Sequence, residues 1–217
     1  MKKIMEKNHF FWLTFSLIGL MITGAFSRDM PDNWTLELIE YTSLALLLIS
    51  LASLRTKRLW GKSFLIILGF MLAVIVIRGT TKIEYFEYTY LGLMLVFMLL
   101  AAWMVAGQVL LTGKVDLNII VGSIALYLLI GLIWSIFYTV LLEFMPDALN
   151  GVEAGAWYDN MSTTTYFSFV TLTTLGYGDI SPARPIAEVI VVLEAVTGMF
   201  YLAVIVASLI GAMRNRD

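Results

Sequence analysis

Apolar residues run through this chain in long unbroken stretches, with polar residues gathered in the gaps between them. Six stretches stand out: Phe10–Phe26, Trp34–Leu54, Phe64–Ile77, Tyr88–Leu111, Ile119–Phe144 and Pro185–Met213. A membrane-crossing helix needs roughly 20 residues, within a range of about 17–25. All but the third meet that length, and Trp60 extends the third. Backbone groups in lipid must be paired within their own segment, so each stretch is read as a helix. The pattern therefore predicts an all-α membrane protein with six transmembrane helices.

One gap breaks the rule that gaps are merely polar. Residues 145–184 form a long connection between the fifth and sixth helices, and its middle reads "YDNMSTTTYFSFVTLTT". That segment is apolar and aromatic enough to enter the membrane, yet too short to cross it with its tail. Re-entrant backbone is tolerated only where protein or a water-filled cavity surrounds it. The expectation is a re-entrant helix over about Asn160–Thr173, followed by "TLGYGD" at 174–179.

Composition agrees with a lipid solvent. Hydrophobic residues make up 60% of the 217 and charged residues 14%, with a mean hydropathy of +0.87. Soluble domains average about 25% charged. Cysteine is absent, which excludes disulfides and thiolate chemistry, and the single histidine, His9, is read as interfacial. Glu37, Glu40, Glu188 and Glu194 offer carboxylates, but no histidine, cysteine or serine triad converges with them, so an enzyme is not expected. No cofactor and no nucleic-acid partner are expected. The dense basic run "RTKRLWGK" is read as a topology signal.

The placement of charge orients the chain. With the N-terminus inside, ten of the fourteen Lys and Arg residues fall in inner segments and four in outer ones. The positive-inside rule then places both termini in the cytoplasm. The basic start followed by an apolar run imitates a signal peptide, but the run exceeds the expected 7–15 residues and is read as a retained first helix.

Residues 119–217 resemble the pore module of tetrameric potassium channels, with the order helix, re-entrant pore helix, filter, helix. Thr174-Leu175-Gly176-Tyr177-Gly178 is similar to the family's TVGYG filter, with leucine for valine. "YLLIGLIWSIFYTVLLE" and "LEAVTGMFYLAVIVASLIG" resemble segments of small prokaryotic ion channels. Six helices with the pore last also resemble the six-transmembrane members of that family. The resemblance implies a potassium-selective channel passing K+ passively, with homotetramer subunits and membrane lipids as its other partners. A non-selective cation channel and a non-conducting scaffold with a relic filter are the rival readings.

The filter has its own physical logic. A potassium ion shedding water must be offered oxygens in exchange, and rings of backbone carbonyls can supply them. Thr174, Leu175, Gly176 and Tyr177 are the expected K+-binding carbonyls, with the Thr174 hydroxyl adding a further ring. Aiming consecutive carbonyls one way needs alternating backbone conformations, some with φ > 0, which Gly176 and Gly178 adopt at little steric cost. Tyr177 is expected to pack against Tyr166 and Phe167, with Asp179 at the outer mouth. The chain holds one copy of the motif, so a closed ring requires four chains.

The rest of the sixth helix raises three expectations. Gly198 lies 24 residues after Thr174, where the resemblance places a hinge glycine; close helix packing is the alternative use of a small residue. Met199, Leu202, Val206 and Ile210 share one helical face, which either lines an inner cavity or faces lipid. Glu194 lies about 15 Å along the helix at 1.5 Å per residue, a costly depth for a carboxylate. It is expected to face the pore helix near Ser168 and Thr171, either coupling the helix to the filter's support or making a structural hydrogen bond.

These readings divide the chain into a four-helix section, residues 1–112, and a pore section, residues 113–217. The first is sensor-like in topology only. Its fourth helix, "YTYLGLMLVFMLLAAWMVAGQVLL", carries no charge, whereas moving one charge through the field yields about 2.3 kcal/mol per 100 mV.

Overall fold

The computed structural model describes residues 9–27, 41–45, 47–48, 58–81, 85–110, 116–153 and 155–214. Six helices are bounded within them: α1 (His9–Ser27), α2 (Arg58–Thr81), α3 (Tyr85–Leu110), α4 (Leu117–Phe144), α5 (Trp157–Leu172) and α6 (Pro185–Arg214). Two-residue strands β1 (Leu149–Asn150) and β2 (Ser181–Pro182) pair antiparallel, with Leu149 opposite Pro182 and Asn150 opposite Ser181. The second predicted span is met by helical residues at 41–45 and 47–48; the rest of it, with Glu37 and Glu40, lies outside the described residues.

The chain is a multi-pass membrane protein. Tyr88–Leu110, Leu117–Phe144 and Pro185–Ile205 are each long and apolar enough to cross a membrane, and Phe10–Phe26 and Phe64–Ile77 are shorter apolar helices. The basic run at 55–62 is only partly a connection, because α2 begins at Arg58 and takes in Trp60. Asp116 starts α4, its carboxylate accepting the Ile119 N–H at 2.9 Å. A cap of this kind satisfies one of the unpaired donors at a helix start.

Helix α4 is the hub. Helices α1, α3 and α5 all lie against it, α2 packs on α3, and α6 meets α5. Phe10 and Leu17 of α1, Phe97 and Met98 of α3, and Leu129 and Ile136 of α4 share one buried apolar core. Helices α1 and α3 thus rest directly on α4 of the same chain. Helix α6 is the opposite of α4: 11% of its most apolar window is buried, against 61% for α4. Val189, Val192, Leu193, Phe200 and Val204 stand exposed along it.

Helix α5, where a re-entrant helix is expected, starts three residues earlier than its sequence pattern suggests. Trp157 is buried and lies 6.4 Å from Tyr90 of α3, centroid to centroid, and Asp159 and Asn160 donate their N–H groups to Ala156 O at 3.0 and 3.1 Å. The Asn160 side chain holds the entry by donating to Gly155 O at 2.9 Å.

Candidate functional site

At its C-terminal end α5 turns directly into the glycine-containing segment. Thr173 N–H still donates to Phe169 O at 3.0 Å, and Thr174 N–H to Thr171 O at 2.9 Å. Leu175 and Gly176 both aim their N–H groups back at Val170 O, at 2.9 and 3.3 Å. These donors are engaged by the helix end, and the carbonyls are left over. Among the described residues, no hydrogen bond takes the carbonyl oxygen of Thr174, Leu175, Gly176 or Tyr177.

The backbone alternates over the same residues. φ is +58° at Thr174, +58° at Gly176 and +83° at Gly178, while Leu175 and Tyr177 between them are not in the positive region. Thr174 is the one non-glycine residue with positive φ among those described. A left-handed conformation costs an L-residue about 1–2 kcal/mol, and such strain clusters at functional positions. Residues 173–179 are all exposed in the single chain, Leu175 at 55% and Tyr177 at 66%.

Behind this segment stands Tyr166. Its ring stacks on Tyr177 with centroids 6.5 Å apart and planes 6° from parallel. Its hydroxyl donates to Asp179 Oδ2 at 2.7 Å, so one side chain braces both the tyrosine and the aspartate. That bond holds the Asp179 carboxyl below the usual carboxylate range. Phe167 does not join it. It packs edge-on against Tyr138 of α4, 4.9 Å centroid to centroid, in a buried cluster. Adjacent helical residues point about 100° apart, so only one of the pair can face the loop.

The far end of the segment is closed by ties to the α4–α5 connection. Ala183 N–H donates to Ala148 O at 2.8 Å beside the β1–β2 pair. Arg184 Nε donates to Asp147 Oδ2 at 3.0 Å, and its Nη2 makes a second contact to the same oxygen. The Arg184 guanidinium holds Asp147 below the usual carboxylate range, and Asp147 in turn raises Arg184.

The threonine run has a local use. Thr139 and Thr164 hydroxyls lie 2.7 Å apart, and Ser135 meets Thr165 at 2.8 Å and Thr164 at 3.3 Å. Ser135, Thr139 and Thr164 are buried. These hydroxyls rivet α5 to α4. The sequence reading missed them, although a Ser and a Thr four residues apart on an otherwise apolar helix, facing a Thr run, were the available signal.

Glu194 reaches the α4–α5 seam from α6. It is fully buried. Tyr138 Oη donates to its Oε2 at 2.6 Å, and its Oε1 lies 2.5 Å from Ser168 Oγ. Ser168 and not Thr171 is the pore-helix partner, and Tyr138 is a partner that the sequence reading did not name.

One turn further along α6, Gly198 touches the base of the glycine-containing segment. A Cβ on Gly198 would stand 2.0 Å from Leu172 O, so only the absence of a side chain lets the helices meet here. Met199 and Leu202 are 57% and 50% exposed in the single chain; the side chains of Val206 and Ile210 lie outside the described residues.

Comparison with known proteins falls on this part of the chain. Residues 123–215 match a family described as Ion channel. Over that stretch the chain is similar to ion-channel domains. The matched family is one of channels, not of enzymes. The inward rectifier potassium channel Kirbac3.1 of Paramagnetospirillum magnetotacticum is 40% identical over 70 residues, 32% of this chain and 22% of that one. Two-pore potassium channel 4 of Arabidopsis thaliana is 29% identical over 79 residues, 36% of this chain and 26% of that one. The similarity therefore spans about a quarter of each relative's length. No solved structure matches the chain significantly.

Proposed function

We propose that this protein is a potassium-selective channel that passes K+ passively, built from four copies of the chain around a central axis, with both termini in the cytoplasm. The observation that carries the reading is the backbone from Thr174 to Gly178. Positive φ recurs at every second residue, and four successive carbonyls have no partner among the described residues. Thr174, Leu175, Gly176 and Tyr177 then supply stacked rings of oxygen that replace the hydration shell of K+. Tyr166, Asp179 and the α5 end fix those rings from behind. The C-terminus of α5 adds a partial negative charge toward the ion path.

Four-fold assembly is supported by what one chain leaves open. A single strand of carbonyls cannot surround an ion, and α6 presents an apolar face with little of its own chain against it. Copies of the chain cover part of that face, and Met199 and Leu202 line an apolar inner cavity of the kind that gates by dewetting. Residues 1–112 form a supporting four-helix domain beside the pore domain, 113–217. The names of the two relatives favour potassium as the ion.

Purified protein in vesicles tests the reading. The expected result is potassium flux, with a reversal potential in mixed K+ and Na+ that follows the K+ gradient. A reversal potential indifferent to the two ions identifies a non-selective channel, and assembly without flux a relic filter. Either outcome rejects the proposal.

Voltage dependence is expected to be shallow. Within α3 the one charged residue is Glu87, near the outer end, and no arginine follows. In planar-bilayer recordings the open probability should change gently with potential. A steepness equivalent to several gating charges per tetramer contradicts this.

A further inference from the structure

Counting protons around Glu194 gives a result that goes beyond conduction itself. Three oxygen–oxygen contacts form a chain there. Tyr138 Oη lies 2.6 Å from Glu194 Oε2, Glu194 Oε1 lies 2.5 Å from Ser168 Oγ, and Ser168 Oγ lies 2.7 Å from the carbonyl oxygen of Gly131. Each contact needs one hydrogen between its two oxygens. Tyr138 and Ser168 carry one each, and the Gly131 carbonyl carries none. With Glu194 ionised, two hydrogens must serve three contacts, and one buried oxygen pair is left facing without a proton. With Glu194 as the neutral acid the count closes: Tyr138 donates to Glu194, Glu194 donates to Ser168, and Ser168 donates to Gly131.

The surroundings agree with the count. Glu194 has no exposed surface, and among the described residues no cation forms an ion pair with it. The titratable groups that face it are Tyr138 and, at longer range, Tyr127, both from α4. From α5 it meets the hydroxyl of Ser168, and from its own helix no second ionisable group. A buried carboxylate without a cation is strongly disfavoured, while a satisfied neutral network is not.

We propose that Glu194 is a positioning residue of the ion pathway, acting as a protonated carboxylic acid that ties α6 to both α4 and the pore helix and so holds the filter in its conducting form. This rests on the channel reading above. The tie lies one helical turn from the Gly198–Leu172 contact on both helices, residues 194 and 198 on α6 and residues 168 and 172 on α5. Together the two contacts fix α6 against the last turn before Thr174. Proton binding favours the tied state, so the tie is present at low pH and is lost as pH rises and the acid ionises. The channel is therefore expected to lose current on the alkaline side.

The test compares wild type with Glu194→Gln and Glu194→Leu in planar bilayers across an alkaline pH series. Glutamine keeps the donor toward Ser168 and the acceptor for Tyr138 but does not titrate. The expected result is that Glu194→Gln conducts like wild type and loses the alkaline fall, whereas Glu194→Leu loses current. Tyr138→Phe and Ser168→Ala, which remove one link of the tie each, should lower the current. A wild-type current that is flat across the series, or a Glu194→Gln channel that keeps the fall, overturns the proposal. Infrared difference spectra provide a readout independent of current: the carbonyl stretch of a protonated carboxyl should be present in wild type and absent from Glu194→Gln. The two possible failures separate. A protein that shows the band but passes no potassium rejects the channel reading, and a conducting channel without the band rejects the role of Glu194.

Discussion

Gly176→Ala is expected to abolish potassium-selective flux while leaving the protein folded and assembled. Gly176 has a φ of +58°, and nothing lies within 4 Å of a Cβ placed there in the single chain. The cost is therefore one of backbone conformation rather than of collision. Left-handed backbone costs an L-residue about 1–2 kcal/mol, and a pore of four chains pays it four times at one ring. Each 1.4 kcal/mol is about a tenfold change in an equilibrium, so the alternating form yields to flatter backbones that scatter its carbonyls. Gly178, at φ +83°, should behave alike. Flux and reversal potential in mixed K+ and Na+ measure the effect, with the oligomer checked in detergent. Selective current through Gly176→Ala at the wild-type level would remove the filter assignment.

Gly198→Ala is the second large effect, and it separates two uses of that glycine. A hinge needs torsional freedom, and alanine at a straight position in a helix is tolerated. A close contact needs the space itself. The Cβ would stand 2.0 Å from Leu172 O, 2.9 Å from its carbonyl carbon and 3.2 Å from its Cα, and all three are backbone atoms that no rotamer change can move. Overpacking a well-filled site costs about 1–3 kcal/mol, more where both partners are rigid. The expected result is a lower thermal midpoint in detergent together with loss of selective current, because α6 must lift from the residue two before Thr174. A Gly198→Ala protein with unchanged thermal stability and altered gating alone restores the hinge as the whole explanation.

What the amino-acid order disclosed was whatever depends on one segment at a time. The spans were legible because lipid demands long apolar runs, and α3, α4 and α6 begin and end within a few residues of those runs. The glycine alternation was legible because positive φ selects its own residue type. Pairings between segments were not. Ser168 was visible as a hydroxyl within reach of Glu194, but Tyr138 read as one more aromatic on an apolar helix. Its hydroxyl becomes meaningful only when α4 and α6 are brought within 2.6 Å of each other at that point. The start of α5 was misplaced for the same reason, since Trp157 earns its place in the helix through contact with α3, far away in the chain. Phe167 and Tyr166 show the limit within a single helix: both are aromatic, and only the docking of α5 decides which one meets the loop.

The hydroxyls shared by α4 and α5 bear on how such a molecule is made. A short polar helix that dips into lipid and returns is a poor guest there, because its ends and its hydroxyls need partners that hydrocarbon does not offer. Thr139, Ser135, Thr164 and Thr165 find those partners within a single polypeptide. The seating of α5 on α4 is thus an intramolecular event that needs no second chain. In the proposed tetramer, oligomerisation would then join finished units, each with its carbonyl strand already bent, and contribute symmetry rather than the shape of the parts.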